Sequence, residues 1–161
     1  MLITFLRHAT AEPHTLLLND SERTLIKKGK EQSIRAAQFC RKNALLPATL
    51  YCSPILRAQQ TARIFQTHLP DCPPIMTADW LSLEASLDST KNALKQLALG
   101  GMNDVWLVGH EPNISTIITD FLDAADDCIL IKKASLTRID ADFSQKSSGQ
   151  LIWSIPNRLM R

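Results

Sequence analysis

Ile3-Thr4-Phe5-Leu6-Arg7-His8-Ala9-Thr10-Ala11 begins as a short apolar run of the kind that forms a buried strand, then stops at an Arg-His pair followed by small residues. An unpaired interior guanidinium costs on the order of several kcal/mol. That penalty puts Arg7 and His8 at the strand's C-terminal mouth, where open α/β sheets bind ligands. Taken alone, the position also fits an ordinary strand end with a solvated Arg and a hydrogen-bonded His. Two stretches downstream have the same form and decide between these readings.

The first is Thr49-Leu50-Tyr51-Cys52, a second apolar run, which ends at Ser53-Pro54-Ile55-Leu56-Arg57. Ser53 reads as a helix N-cap with Pro54 in the first helical position. Ile55, Ala58, Ala62, Phe65 and Leu69 recur at helical spacing as the buried face, and Pro70 ends the element. The second is Asp104-Val105-Trp106-Leu107-Val108, which stops at Gly109-His110, with Pro112 opening a helix whose Ile114, Ile117, Ile118 and Phe121 face inward.

Between these landmarks, Thr10–Arg23 reads as a polar loop long enough to be functional. A helix is expected from about Thr24, its N-cap, to Lys42, with Leu25, Gly29, Gln32 or Ser33, Ala36 and Cys40 on one stripe. Gly inside a helix costs about 1 kcal/mol relative to Ala, so Gly29 predicts a close packing contact. A short strand near Ile75–Thr77, an irregular stretch at 78–86 and a helix over Leu87–Leu99 closed by Gly100-Gly101 follow. Strands at Cys128–Ile131, Leu136–Asp140 and Leu151–Ile155 complete the pattern, the last two as a hairpin around Ser147-Ser148-Gly149. Strand–helix alternation of this kind predicts a three-layer α/β/α sandwich on a mixed, mostly parallel sheet with antiparallel strands at one edge.

The chain of 161 residues is expected to be one domain, 1–161, with an ordinary share of hydrophobic (45%) and charged (21%) residues. A net charge of +2 without Lys/Arg clusters leaves no nucleic-acid footprint. No apolar run reaches membrane-spanning length, and the opening run meets Arg7 too early for a signal peptide. Cys40, Cys52, Cys72 and Cys128 show no C-x-x-C spacing and read as reduced thiols, so a cytoplasmic location is expected. His14 and His68 read as surface residues, with His14 able to rim the pocket. Trp106 and Trp153 read as core, and Asn157–Arg161 as a frayed or partner-contacting tail.

If the three strands are parallel, His8, His110, Arg7 and Arg57 converge on one sheet edge, with helix N-termini near Pro54 and Pro112 aimed at the same place. Guanidinium groups, helix N-termini and imidazoles together suit a tetrahedral dianion such as a phosphoryl group. One neutral imidazole can attack phosphorus while the other stabilises the transferring oxygens. The guanidinium groups neutralise charge, so no metal and no cofactor is expected.

Arg7-His8-Ala9-x-Ala11, Arg23-x-Leu25-x-x-x-Gly29, Ser53-Pro54-x-x-Arg57-Ala58-x-Gln60-Thr61 and Leu107-Val108-Gly109-His110-x-Pro112 resemble the histidine phosphatase (phosphoglycerate-mutase-like) superfamily. More narrowly, they are similar to the SixA-type phosphohistidine phosphatases. The resemblance spans Leu2 to about Leu122. It implies that His8 is the phosphorylated nucleophile, that Arg7, Arg57 and His110 complete the phosphate pocket, and that Arg23 is an outer contributor. Ala9 stands where the larger superfamily has Gly, Thr24 where it has Pro, and Ile26 where it has a capping Thr or Ser.

Superfamily members that cleave phosphate esters need an acid to protonate the departing alkoxide. Glu84, in the irregular stretch before Leu87, is the candidate here, against its reading as a solvated loop carboxylate. A phosphohistidine substrate carries its own good leaving group, a protonated imidazole, and needs no such acid. The segment 77–101 has little room for a covering insertion, so the pocket is expected to be open to a side chain on another protein. The expected activity is dephosphorylation of a phosphohistidine-containing phosphotransfer protein through phospho-His8. A small-molecule phosphomonoesterase using Glu84 and a non-catalytic phosphoprotein-binding module are the alternatives.

Overall fold

A computed structural model of the chain describes residues 1–15, 19–125, 128–144 and 147–161. Ile3 and Phe5 of strand β1 (Leu2–Arg7) pack on one face of the sheet, and Leu6 packs on the other. The same alternation in β4 (Asp104–Gly109) sends Val105 and Leu107 one way and Trp106 and Val108 the other. Both strands are therefore apolar on two sides, as a central strand must be.

β2 (Leu50–Cys52), β3 (Ile75–Thr77), β5 (Leu136–Asp142) and β6 (Ser148–Ile155) complete a six-stranded sheet in the order β3-β2-β4-β1-β5-β6. β3, β2, β4 and β1 run parallel, and β5 and β6 add an antiparallel hairpin beside β1. Helices α1 (Lys27–Lys42) and α2 (Leu56–His68) cover one face through Ala36, Cys40, Ala58, Ala62 and Phe65. Helices α3 (Leu87–Leu99) and α4 (Asn113–Phe121) cover the other through Leu94, Ile114, Ile118 and Phe121. This is the expected α/β/α sandwich on a mixed, mostly parallel sheet. Among the described residues no helix is long and apolar enough to cross a membrane.

Several local expectations are corrected. Thr24 does not cap α1, which starts at Lys27 with Ile26 before it and no side-chain cap. Its hydroxyl and N–H both go to the Glu12 carboxylate, and Leu25 bridges to Ala11, so this segment stays extended. Ser53 and Pro54 likewise precede α2, which starts at Leu56 after Ile55, while the Ser53 hydroxyl accepts the Ile55 N–H and meets His110. Residues 128–131 are not a strand: Ile131 is buried, but its carbonyl accepts from Arg7 instead of a neighbouring strand.

The tail is not frayed. Asn157 donates to the Gln32 carbonyl and accepts from Arg35, and Met160 is buried in the core beside α1. Asp142 pairs with Ser148, so the hairpin turn comes slightly before its expected place, and 145–146 lie outside the described residues. Trp106 is buried and Trp153 half-buried against the same core.

Candidate functional site

Strand register brings the site together. Leu6 pairs with Val108, and Val108 with Cys52, so Arg7-His8, Gly109-His110 and Ser53 leave three adjacent strands at the same level. The His8 N–H continues the ladder onto the Gly109 carbonyl, and the Ser53 N–H onto that of Val108. From β1 the chain turns to α1 on one face, and from β4 to α4 on the other. The strand ends therefore open into the crevice that adjacent parallel strands form where their connections diverge. The rings of His8 and His110 lie with centroids 5.1 Å apart, tilted by 50°.

His8 is 5% exposed. Its Nδ1–H donates to the Ala9 carbonyl at 2.8 Å, which leaves the lone pair on Nε2. Arg57 Nε donates toward that nitrogen at 3.3 Å. Burial, then the nearby His110, Arg57 and Lys133, push the His8 pKa down to about 2, against the Ala9 hydrogen bond. At neutral pH the ring is a neutral base with one free nitrogen, the form that attack on phosphorus requires.

The Arg57 guanidinium is aimed by Asp20. Its NH1 donates to the Asp20 carbonyl at 2.6 Å and its NH2 to Asp20 Oδ2 at 2.8 Å. The other Asp20 oxygen takes Arg23 at 2.7 Å, so one carboxylate joins two arginines. Burial pushes the Asp20 carboxyl up, but Arg57 and Arg23 outweigh it and hold the group below its ordinary value. On the other side Arg7 donates to the Ile131 carbonyl at 2.6 Å, while its Nε, like that of Arg23, is buried without a partner. Unpaired buried donors are costly, and an anion between these groups would satisfy them.

His110 Nε2 lies 2.7 Å from the Ser53 hydroxyl, which already accepts the Ile55 N–H. Ser53 can thus donate its own proton to Nε2, which makes Nδ1–H a buried donor without a partner among the described residues. Burial, then Arg57, pushes the His110 pKa down to about 3, with Asp20 opposing.

Several motif residues hold this geometry rather than line it. Thr61 accepts the Ala9 N–H at 3.0 Å and donates to the Arg57 carbonyl at 2.7 Å, locking the turn after β1 to α2. Gln60 takes the Leu25 N–H at 2.6 Å. A Cβ on Gly29 would lie 2.0 Å from the Thr10 carbonyl oxygen, which is the close contact the sequence implied. Ala9 is fully buried without a positive φ, so its backbone here does not call for Gly.

His8, Arg7, Arg57 and His110 thus come together, and Arg23 joins them through Asp20. Glu84 is exposed in the turn before α3, with no hydrogen bond or ion pair among the described residues. His14 and His68 are exposed. Cys52 is buried beside Ser53, where burial pushes its thiol pKa far up and leaves it inert. Sequence reasoning missed Asp20, Lys133 and the Ser53 contact with His110. Only the position of Asp20 three residues before Arg23 offered a signal. Among the described residues no cluster of three or more His, Cys, Asp and Glu could hold a metal ion.

Residues 3–81 match the family model for the histidine phosphatase superfamily (branch 1). No curated protein matches the chain in sequence. The solved protein histidine phosphatase SixA, complexed with tungstate, superposes with a TM-score of 0.87 at 19% identity over 100% of both chains. A protein from Agrobacterium tumefaciens designated a phosphohistidine phosphatase SixA gives 0.78 at 20% identity, covering 96% of this chain and 97% of its own. The mycobacterial glucosyl-3-phosphoglycerate phosphatase in complex with VO3 gives 0.75 at 15% identity, covering 96% and 99%. At such identities the structural likeness establishes the fold.

Proposed function

We propose that the chain, whose residues 3–81 match the histidine phosphatase superfamily model, removes phosphate from phosphohistidine on a phosphotransfer protein through a phospho-His8 intermediate. His8 Nε2 attacks phosphorus, the P–N bond to the substrate imidazole breaks, and that imidazole leaves carrying its proton. Water then attacks phospho-His8, releasing inorganic phosphate and restoring the neutral ring. Arg7 and Arg57 neutralise the transferring oxygens, His110 donates to one of them, and Arg23 acts from outside through Asp20. The observation that carries this reading is the His8 tautomer, with Nδ1–H spent on the Ala9 carbonyl and the unprotonated Nε2 accepting from Arg57.

The choice of phosphohistidine over an ester rests on the carboxylates. Glu84 is exposed and makes no hydrogen bond or ion pair among the described residues, and two arginines hold the Asp20 carboxyl below its ordinary range, which favours a substrate that needs no enzyme acid. Both SixA neighbours carry names in the same substrate class. The same proposal has the chain act in the cytoplasm, where its four free thiols would stay reduced.

Wild type and His8→Ala should be assayed on a 32P-phosphohistidine peptide and an alkyl phosphate. Wild type should release label quickly from the peptide and little from the ester, and His8→Ala from neither. Rapid acid-free quenching of wild type should trap label on His8. Comparable turnover of the ester, lost in Glu84→Gln, would instead establish the phosphomonoesterase. Binding of the peptide without turnover or trapped label would establish a binding module.

A further inference from the structure

We propose that a basic groove running from the His8 turn along α1 docks an acidic segment of the protein that carries the phosphoryl group, an inference that rests on the phosphohistidine reading above. The groove has a volume of about 540 Å³ and lies between α1, residues 132–133 and the 3₁₀ turn Asn157–Leu159. Lys28, Arg35, Lys132, Lys133 and Arg158 line it, against the single carboxylate of Glu31. The chain has 18 Lys and Arg against 16 Asp and Glu. Five cations facing one anion therefore concentrate here a positive charge that the molecule as a whole nearly balances.

The groove abuts the strand end that carries His8. Thr10, two residues beyond His8, forms one end, and both its N–H and its hydroxyl are fixed on Gln32. The wall at 132–133 is anchored to the same strand end, since the Ala134 N–H reaches the carbonyls of Arg7 and His8. The charge of Lys133 already bears on the His8 ring.

The floor is preorganised: Asn157 donates to the Gln32 carbonyl and accepts from Arg35. A polar floor with cationic walls suits an extended acidic segment rather than an apolar helix. No aromatic ring lines the groove, and stacking on aromatic rings is how single-stranded nucleic acid is ordinarily held.

The test uses two phosphohistidine peptides, one with Asp and Glu flanking the phosphohistidine and one with Ser and Gly there. Wild type should process the acidic peptide with a kcat/KM about tenfold higher, mostly through KM. Lys28→Glu/Arg158→Glu, at two exposed positions outside the catalytic machinery, should erase that preference while leaving the neutral peptide unchanged, and 0.5 M salt should do the same in wild type. Equal wild-type kcat/KM on the two peptides overturns the groove and leaves the phosphohistidine reading standing. So does equal loss on both peptides in the double variant. An oligonucleotide that competes below the acidic peptide's KM overturns it in favour of nucleic acid. Turnover of neither peptide by wild type removes the parent reading and this inference together.

Discussion

His8 and His110 are neutral in the folded protein because burial, more than any neighbour, opposes their protonation. In the unfolded chain they titrate near pH 6.5, so below that pH the unfolded state binds more protons and stability falls with falling pH. The loss is expected to reach about 1.4 kcal/mol per pH unit for each ring. Urea unfolding between pH 7 and pH 4.5 should show a shallower slope for His110→Gln than for wild type, and parallel slopes would contradict this. Asp20 makes a second point at this scale, since it touches neither ring yet sets the direction of Arg57. Asp20→Asn should lower kcat/KM on phosphohistidine about 10- to 100-fold and also lower the melting temperature, because Arg57 and Arg23 lose their counter-charge. Retained kcat/KM would show that Arg57 needs no such hold. Arg7, His8 and His110 were legible because each ends an apolar run with a group that cannot be buried unpaired, and Arg57 because it lies in the first turn of the helix after β2. Asp20 was not, for it sits in a loop without periodicity and its partner is 37 positions away.

At the level of elements, legibility depended on where each boundary is decided. α3 came out as expected because its signals are local: Ser86 accepts the Ser89 N–H, and Gly100 follows its last turn. α1 and α2 start two or three residues late: Thr24 is committed to Glu12, and the Ser53 hydroxyl, shared with His110, reaches only the Ile55 N–H ahead of the helix. An apolar pattern at 128–131 suggested a strand, and tertiary packing of Ile131 accounts for the pattern instead. Gly29 is where helix and site constrain each other. Gly29→Ala gains helix propensity of about 1 kcal/mol in principle. The methyl group would nevertheless collide with the Thr10 carbonyl, two residues past His8. The net effect should be a loss of about 1–3 kcal/mol together with reduced turnover. Denaturation and single-turnover rates on the same preparation check both, and a stabilised, fully active variant would mean that α1 is free to move away from that turn.

Across the whole molecule, strand order does what no single segment can. β1 and β4 are far apart in sequence but adjacent and parallel in the sheet, and their helices depart to opposite faces. That arrangement gathers cations and imidazoles contributed by residues from 7 to 133 into one cleft, with the hairpin β5–β6 bracing the far side of β1. The thiols stay out of it. Cys40 and Cys52 are buried within the α1/α2 core, and burial raises their pKa, for Cys40 to about 12. Phosphatases that work through a cysteine thiolate are silenced when peroxide oxidises that sulfur. A catalyst whose reactive atom is an imidazole nitrogen has no such vulnerability. If the proposed phospho-His8 chemistry holds, turnover should persist through millimolar hydrogen peroxide that switches off thiol-dependent counterparts.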